Sequence, residues 1–447
     1  MLKHLALIEV FGLFNVFDHH RIQLSDEPHP TIISGPNGSG KTQTLRLVKA
    51  VFDLDLAYLV SVPYESLVLT FQNGERLEIV RGVSKKGNSL SLRGWSRDGR
   101  AHSPVVVSRD ELLHREQVAR ESFRRYRISL ARDMQSEQQY LFDPADPALR
   151  PGEIEEFFPD EPMASDTLAR IGRSGWLKSL VRTQVIMVET KRLHEMPPGI
   201  ASVAQGRRRK NQSILQSHLE RINAQVARAR EESLLISQER DQSFPMRILS
   251  AREGHSNTRA ASMERLQRMY DSVHALGVEL HGNGLSALPK LMEFPDHKLT
   301  PFERRILTQF VQDWQKKFEP LIPVNERIQT LRAILNGKLR FKRAEYDSAD
   351  GLQFRSTITD ETIPLASLSS GEQHLVVLFT SLLFSATRGS IVLIDEPEIS
   401  MHAAWQHAFL DDISRVAEIQ DLQVVLATHS AAIVRGHWEL VQEIGVE

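Results

Sequence analysis

The chain has 447 residues, a hydrophobic share of 41%, a charged share of 25%, and 55 basic against 57 acidic side chains, for a formal charge of −2. These values fit a globular chain of about three domains' length and exclude a disordered, collagenous or globally basic protein. No cysteine is present, which removes disulfides, thiolate nucleophiles and sulfur-ligated metals and suits a reducing, cytoplasmic setting.

The N-terminal apolar residues are interrupted by Glu9 with no small-residue cleavage site behind them, so Met1 to Phe14 reads as a strand rather than a leader. Three short strands are expected near Leu5–Val10, Arg21–Leu24 and Thr31–Ser34. The last leads into Gly35-Pro36-Asn37-Gly38-Ser39-Gly40-Lys41-Thr42 and a helix to about Phe52. Between Ser66 and Val107, alternating runs broken by Asn73-Gly74 and Asp98-Gly99 predict antiparallel hairpins.

Residues 109–142 read as helical and basic, with Arg115, Arg120, Arg124, Arg125, Arg127 and Arg132, and 143–166 as a proline-rich acidic loop. A buried strand at Val185–Val188 precedes a helix of about Gln212–Arg240, where Leu215, Leu219, Ile222, Val226, Ala229, Ser233 and Ile236 form a heptad stripe. A second helix, about Thr258–Leu276, repeats the spacing at Met263, Leu266, Tyr270 and Val273. The two predict a hairpin (about 212–279) joined by segment 241–257, only about 44 Å long at 1.5 Å per residue.

Thr300-Pro301-Phe302-Glu303 is a capping box with proline at the first helical position, and Asn336-Gly337 stops the following helix. A strand pair at 338–346 and 352–358 comes next. The longest nearly unbroken apolar stretch, Leu375 to Ala386, is shorter than the ~18 residues a spanning helix needs, so no membrane partner is expected.

The segment Gly35 to Thr42 has the form of a phosphate-binding loop between a strand and a helix. The glycines let successive N–H groups face a β-phosphate, Lys41 carries charge to the β- and γ-phosphates, and Thr42 is placed to ligate Mg²⁺. Ile391 to Glu396 is an apolar strand ending in two carboxylates that alternation points apart, Asp395 toward Mg²⁺ and Glu396 toward an attacking water. Pro397 to His402 leaves the strand tip and is expected close to the nucleotide. Val424–Ala427 is another buried strand, and His429 beyond it suits a γ-phosphate sensor.

Leu368-Ser369-Ser370-Gly371-Glu372-Gln373 stands before an apolar helix, where Ser369 reads by itself as a helix cap. Beside the other three motifs and in their order, it resembles the signature of the ABC-type ATPases, the class that includes SMC proteins and double-strand-break repair ATPases. The resemblance implies an α/β fold: an ABC-type P-loop NTPase head with an antiparallel β subdomain and a long, mainly helical insertion carrying the short hairpin. The head would be formed by 1–108 and 338–447, with 109–337 inserted. It further implies ATP and Mg²⁺ as ligands, slow hydrolysis to ADP and phosphate, and a head-to-tail dimer. In that dimer Lys41 and Glu396 of one copy would share a nucleotide with Ser369, Gly371 and Glu372 of the other, with a higher oligomer allowed.

About 330 residues separate Lys41 from Ser369, more than a transporter subunit uses, and the 18 after His429 leave no room there for the TOPRIM domain of the overcoming-lysogenization nucleases. The chain looks similar to the stand-alone ATPase subunits of anti-phage systems such as Septu and PARIS. That similarity is closest at Asp241-Gln242-Ser243-Phe244-Pro245, Leu368–His374, Asp395–Gln406, Ala427–Ser430 and Trp438–Val441. It implies a separately encoded effector such as a TOPRIM or HNH nuclease. Related chains carry a glutamine after the strand at 185–188; here Gln184 lies only upstream and Lys191 downstream, and the position stays open. The run Arg207-Arg208-Arg209-Lys210 reads either as a solvated loop or as a DNA contact. DNA is therefore the partner in the alternative reading, a repair-type SMC-like ATPase.

Overall fold

The computed structural model describes residues 4–25, 29–84, 87–108, 174–189, 203–252, 261–286 and 293–445. The basic segment 109–142, the acidic loop 143–166 and Lys191 lie outside the described residues. The chain forms two compact units, one of Met1–Glu195, Thr387–Ile399 and Gln406–Glu447, the other of Met196–Ala386 and Ser400–Trp405.

The first unit opens with β1 (Leu5–Leu13), β2 (Phe17–Gln23) and β3 (Thr31–Ser34), followed by α1 (Lys41–Phe52) and α2 (Leu56–Ser61). Strands β4 (Ser66–Phe71), β5 (Arg76–Ser84), β6 (Gly87–Trp95) and β7 (Val105–Ser108) continue it. These give a six-stranded antiparallel sheet in the order β2-β1-β4-β5-β6-β7. The expected hairpins are present, and the first two strands join them, because Leu5, Ile8 and Val10 put a fully buried face on the same core as Leu67, Leu69 and Ile79. A short helix α3 (Gly175–Leu180) and β8 (Val185–Glu189) complete this stretch.

The second unit begins with α4 (Val203–Arg252), α5 (Met263–Gly282), α6 (Pro301–Phe318) and α7 (Ile322–Asn336). The heptad stripe is buried from Leu215 to Ala229, and Leu266, Tyr270 and Val273 are buried on α5. The capping box at Thr300 forms as expected, with Glu303 reaching back to the Thr300 amide at 2.7 Å. The expectation of a short first helix ending before 241 is corrected. At 50 residues α4 spans about 75 Å, and it runs through Pro245 as well as through 207–210, which is helical backbone rather than loop.

Proline withholds one N–H and crowds the preceding turn. Here the neighbouring carbonyls have other donors: Ser243 Oγ gives its proton to Glu239 O at 2.9 Å, and Arg247 Nη2 donates to Arg240 O at 2.7 Å. The antiparallel pair β9 (Lys342–Asp347) and β10 (Gly351–Ser356) and helix α8 (Ser370–Thr380) follow in this unit.

The chain returns to the first unit with β11 (Ile391–Asp395), β12 (Gln423–Ala427) and β13 (Val441–Glu443). With β3 and β8 they form a second, all-parallel sheet in the order β13-β3-β12-β11-β8. β11 and β12 are buried along their whole length, as their unbroken apolar runs require of parallel strands covered on both faces.

Candidate functional site

In a parallel sheet the strands' carboxyl ends lie along one edge, and that edge is where ligands bind. Here it gathers the turn after β3, the tip of β11 and the exit from β12.

After β3 the chain turns at Gly35, where a Cβ would run into the carbonyl oxygen of Ile444, the residue just past β13, which forbids a side chain there. Gly40 precedes α1 with φ 85°, and a Cβ on it would meet Leu13 and the His20 ring. The loop is thus held from below by buried packing at the start of α1, with Ser39 N bonded to Pro36 O at 3.1 Å inside it. Lys41 Nζ donates to Gly35 O at 2.8 Å and Pro36 O at 3.0 Å, folding the ammonium over the loop. Burial lowers its pKa, and the charges of Glu396, Asp395 and Glu398 oppose that shift. Ser39, among the expected nucleotide contacts, is buried, with its side chain turned toward Gly445.

Thr42 Oγ1 lies 2.9 Å from both oxygens of Asp395, 353 residues away in sequence. Asp395 is 8% exposed. Burial raises its pKa; the Thr42 hydrogen bond lowers it, and the nearby charges of Glu396 and Glu189 add to the rise. This hydroxyl–carboxylate pair is a hard-oxygen set suited to Mg²⁺, which takes one or two protein oxygens and completes its octahedron with phosphate and water. Among the described residues no group of three His, Asp or Glu forms a protein-only cage. Mg²⁺ bound through Thr42 and Asp395 would neutralise charge on the β- and γ-phosphates.

Glu396 follows in the left-handed region, φ 46°, and its amide donates to Ala427 O at 2.9 Å, tying the tip of β11 to the end of β12. That turn aims the Glu396 carboxylate toward His429, with 3.9 Å between Glu396 Oε1 and His429 Nε2. Lys41, Thr42, Asp395, Glu396 and His429, expected together, are therefore brought together. Ser369, Gly371 and Glu372 belong to the second unit.

There Ser369 caps α8. Its Oγ accepts from Glu372 N at 3.3 Å, while its own amide donates to Glu372 Oε2 at 2.7 Å. Lys342 on β9 donates to both Glu372 oxygens, at 3.0 and 2.7 Å. Burial pushes the Glu372 carboxyl up, and the bonds from Lys342 and Ser369 outweigh it, leaving the group below its ordinary value. Ser369 itself is exposed.

Gln184 is removed from consideration as the glutamine near Mg²⁺. Its Oε1 accepts from Thr387 N at 2.9 Å and from Ser390 Oγ at 3.1 Å, at the starting end of β8 and β11. The residue level with Asp395 is Glu189, five positions on, or about 16 Å at 3.3 Å per residue. Glu189 is gripped by Arg46 of α1 at 2.9 and 3.0 Å. Glu398 was also missed as a site residue. Both its partners are 30 or more positions ahead, and the only sequence signal was its place in the 397–402 stretch expected near the nucleotide.

The parallel sheet, the phosphate loop and the Thr42–Asp395 and Glu396–His429 pairs define a P-loop ATPase of the ABC type. A sequence family described as "AAA domain, putative AbiEii toxin, Type IV TA system" matches residues 212–435, half of the chain, and the chain belongs to that family. The match takes in the signature, Asp395, Glu396 and His429 and begins after the phosphate loop. No curated protein matches the chain. Similar solved structures include an Smc head domain with an extended coiled coil, bound to the C-terminal domain of ScpA, from Pyrococcus furiosus. It is 14% identical over 97% of this chain and 92% of that chain, with a TM-score of 0.36. Another is an Smc head bound to the C-winged helix domain of ScpA, 11% identical over 97% of this chain and 91% of that chain, TM-score 0.35.

Proposed function

We propose that the chain binds and slowly hydrolyses ATP as a gated, dimerising scaffold that controls a separately encoded effector in anti-phage defence. In this reading the phosphate-loop amides and Lys41 hold the triphosphate, Glu396 accepts a proton from the attacking water, and His429 steadies that water and the γ-phosphate. The exposed Ser369 cap of a second copy contributes its hydroxyl and the first amides of α8, so that closure depends on the γ-phosphate. Hydrolysis then loosens the pair.

The observation that carries the ATPase part is the direct Thr42–Asp395 link beside the Glu396–His429 pair. The family's description names a putative toxin of a toxin–antitoxin system, and that supports a chain working with a second gene product, a TOPRIM or HNH nuclease being the expected kind.

The test is to express the chain with its neighbouring gene and purify it with ATP, with ADP and with no nucleotide. ATP-dependent co-purification of the neighbour, together with a dimer or larger assembly by light scattering, is expected. ATPase stimulation by naked DNA, with binding that falls log-linearly with salt, would instead favour the repair-type reading.

A further inference from the structure

The turn that follows Glu396 carries an acid with no role in the chemistry above. Residues 397–400 form one 3₁₀ turn, closed by Ile399 N donating to Glu396 O at 3.2 Å, and the turn crosses from the tip of β11 to the exit of β12. At that exit Glu398 Oε1 accepts two hydrogen bonds, from Thr428 Oγ1 at 2.8 Å and from the His429 backbone amide at 2.8 Å. Thr428 is 1% exposed, its amide donates to Ile33 O at 3.1 Å, and its Oγ1 also accepts from Ser430 N at 3.0 Å. The backbone on both sides of His429 is thereby fastened to one carboxylate oxygen and to the end of β3. The second oxygen, Oε2, is buried with no hydrogen-bond partner. A carboxylate satisfied on one oxygen only is a poor way to cap a strand for stability alone, because a buried lone pair left unmatched is costly. Its two accepted bonds are both spent on the segment that presents His429.

We propose that Glu398 is the positioning residue that holds His429 at Glu396, so that turnover, rather than nucleotide binding, depends on its carboxylate; this rests on reading the site as an ATPase. The Glu396 amide is bonded to Ala427 O and the His429 amide to Glu398. The loop after β11 and the loop after β12 therefore hold each other in register, and the 3.9 Å between Glu396 and His429 is set by backbone on both sides. Without Glu398 the His429 amide and the Thr428 hydroxyl lose their shared acceptor and only the Thr428 amide bond to Ile33 O still ties that exit to β3, while the phosphate loop, Thr42 and Asp395 keep all their bonds.

The test uses Glu398→Ala and Glu398→Gln in the full chain, each alone and with His429→Ala. Glu398→Ala is expected to lower kcat at least tenfold with KM and ATP affinity within about twofold. Glu398→Gln keeps an acceptor oxygen and is expected to recover turnover to within about threefold of wild type. In the His429→Ala background Glu398→Ala is expected to change kcat by less than twofold, since a residue that acts only through another adds nothing once that partner is gone. Wild-type turnover in Glu398→Ala, a parallel loss of ATP binding, or a cost that adds to that of His429→Ala each overturns the proposal while leaving the ATPase reading intact. If Glu398→Ala is too unstable to assay, Glu398→Gln and Thr428→Val serve in its place. Thr428→Val keeps the His429 amide bond, so a loss of turnover equal to that of His429→Ala there would overturn the assignment. A wild-type chain that binds ATP and never hydrolyses it removes both readings.

Discussion

Replacing Arg247 tests how α4 crosses its own proline. The guanidinium makes a bidentate pair with Asp313 of α6 at 2.7 and 2.8 Å and reaches Arg240 O at 2.7 Å and Ser243 Oγ at 3.1 Å. The Asp313 side chain is 8% exposed and that of Arg247 23%. Hydrogen bonding to Asp313 raises the Arg247 pKa, so the guanidinium keeps its charge. Removing one partner of a buried pair costs about 3–5 kcal/mol. Arg240 at 3.9 Å and Gln309 at 3.2 Å remain near the stranded carboxylate, and Arg247 is partly solvated, so the low end, about 3 kcal/mol, applies to Arg247→Leu. With a urea slope of about 3 kcal/mol/M the midpoint falls by about 1 M. Adding Asp313→Leu removes the stranded charge and is expected to restore at least half of the shift. Urea unfolding followed by far-UV circular dichroism gives both values. A shift below about 0.2 M for the single change, or a double variant worse than the single one, would refute the argument that this pair bridges the proline.

Glu396→Gln is expected to keep ATP affinity and accumulate a nucleotide-bound dimer, read by light scattering; monomers at saturating ATP would count against the proposed role. Ser369→Arg, which crowds the exposed cap, is expected to leave ATP binding within twofold and lower turnover at least tenfold, and unchanged turnover would remove the case for a signature acting on a second copy. Lys342→Met tests the support of that cap. The Glu372 carboxyl is depressed in the fold, so its stabilising contribution is present above the unfolded value near 4.3 and is lost as pH falls through the lower folded value. The variant is expected to be less stable by about 1–2 kcal/mol at pH 7, since a charge-assisted bond is worth roughly 1.5–3 kcal/mol and Lys342 is partly solvated. Thermal melts should show the gap closing below about pH 4, and an equal gap at pH 7 and 3.5 would contradict the linkage.

The strand-end residues were legible because the sheet leaves them no choice. Ser34, Asp395 and Ala427 end buried parallel strands, so whatever follows each strand emerges on the same edge, and the spacing of apolar runs alone announces that edge. The Thr300 box was legible for a different reason, since its two bonds lie within four residues. What stayed hidden depends on register or on partners far along the chain. Gln184 and Glu189 are five residues apart in one segment, and only the pairing of β8 with β11 decides which of them faces the site. Proline at 245 argues locally for a helix end, and the decision is reversed by Asp313, 66 positions beyond its partner Arg247. Glu398 reads as one more acid in an acidic tip until the exit of β12 is placed over it.

The signature segment shows how a motif's residues divide by direction. Glu372 was expected at the nucleotide, yet both of its oxygens are committed within its own unit, to the Ser369 amide and to Lys342. In the capping box the Ser369 hydroxyl accepts a bond from Glu372 N and also hydrogen-bonds the Glu372 carboxylate. Ser370 and Gly371 carry the first two amides of α8, which have no partner within a helix. The side chains of the cap are therefore satisfied among themselves, the first helix amides stay open to outside acceptors, and an anion is the ligand such a surface suits. In the proposed dimer the γ-phosphate of a second copy would supply those acceptors, with Glu372 and Lys342 acting one step behind to keep Ser369 in its cap. This order gives Lys342→Met a second consequence: it should weaken closure through the loosened cap while leaving the binding of ATP at Lys41 unchanged.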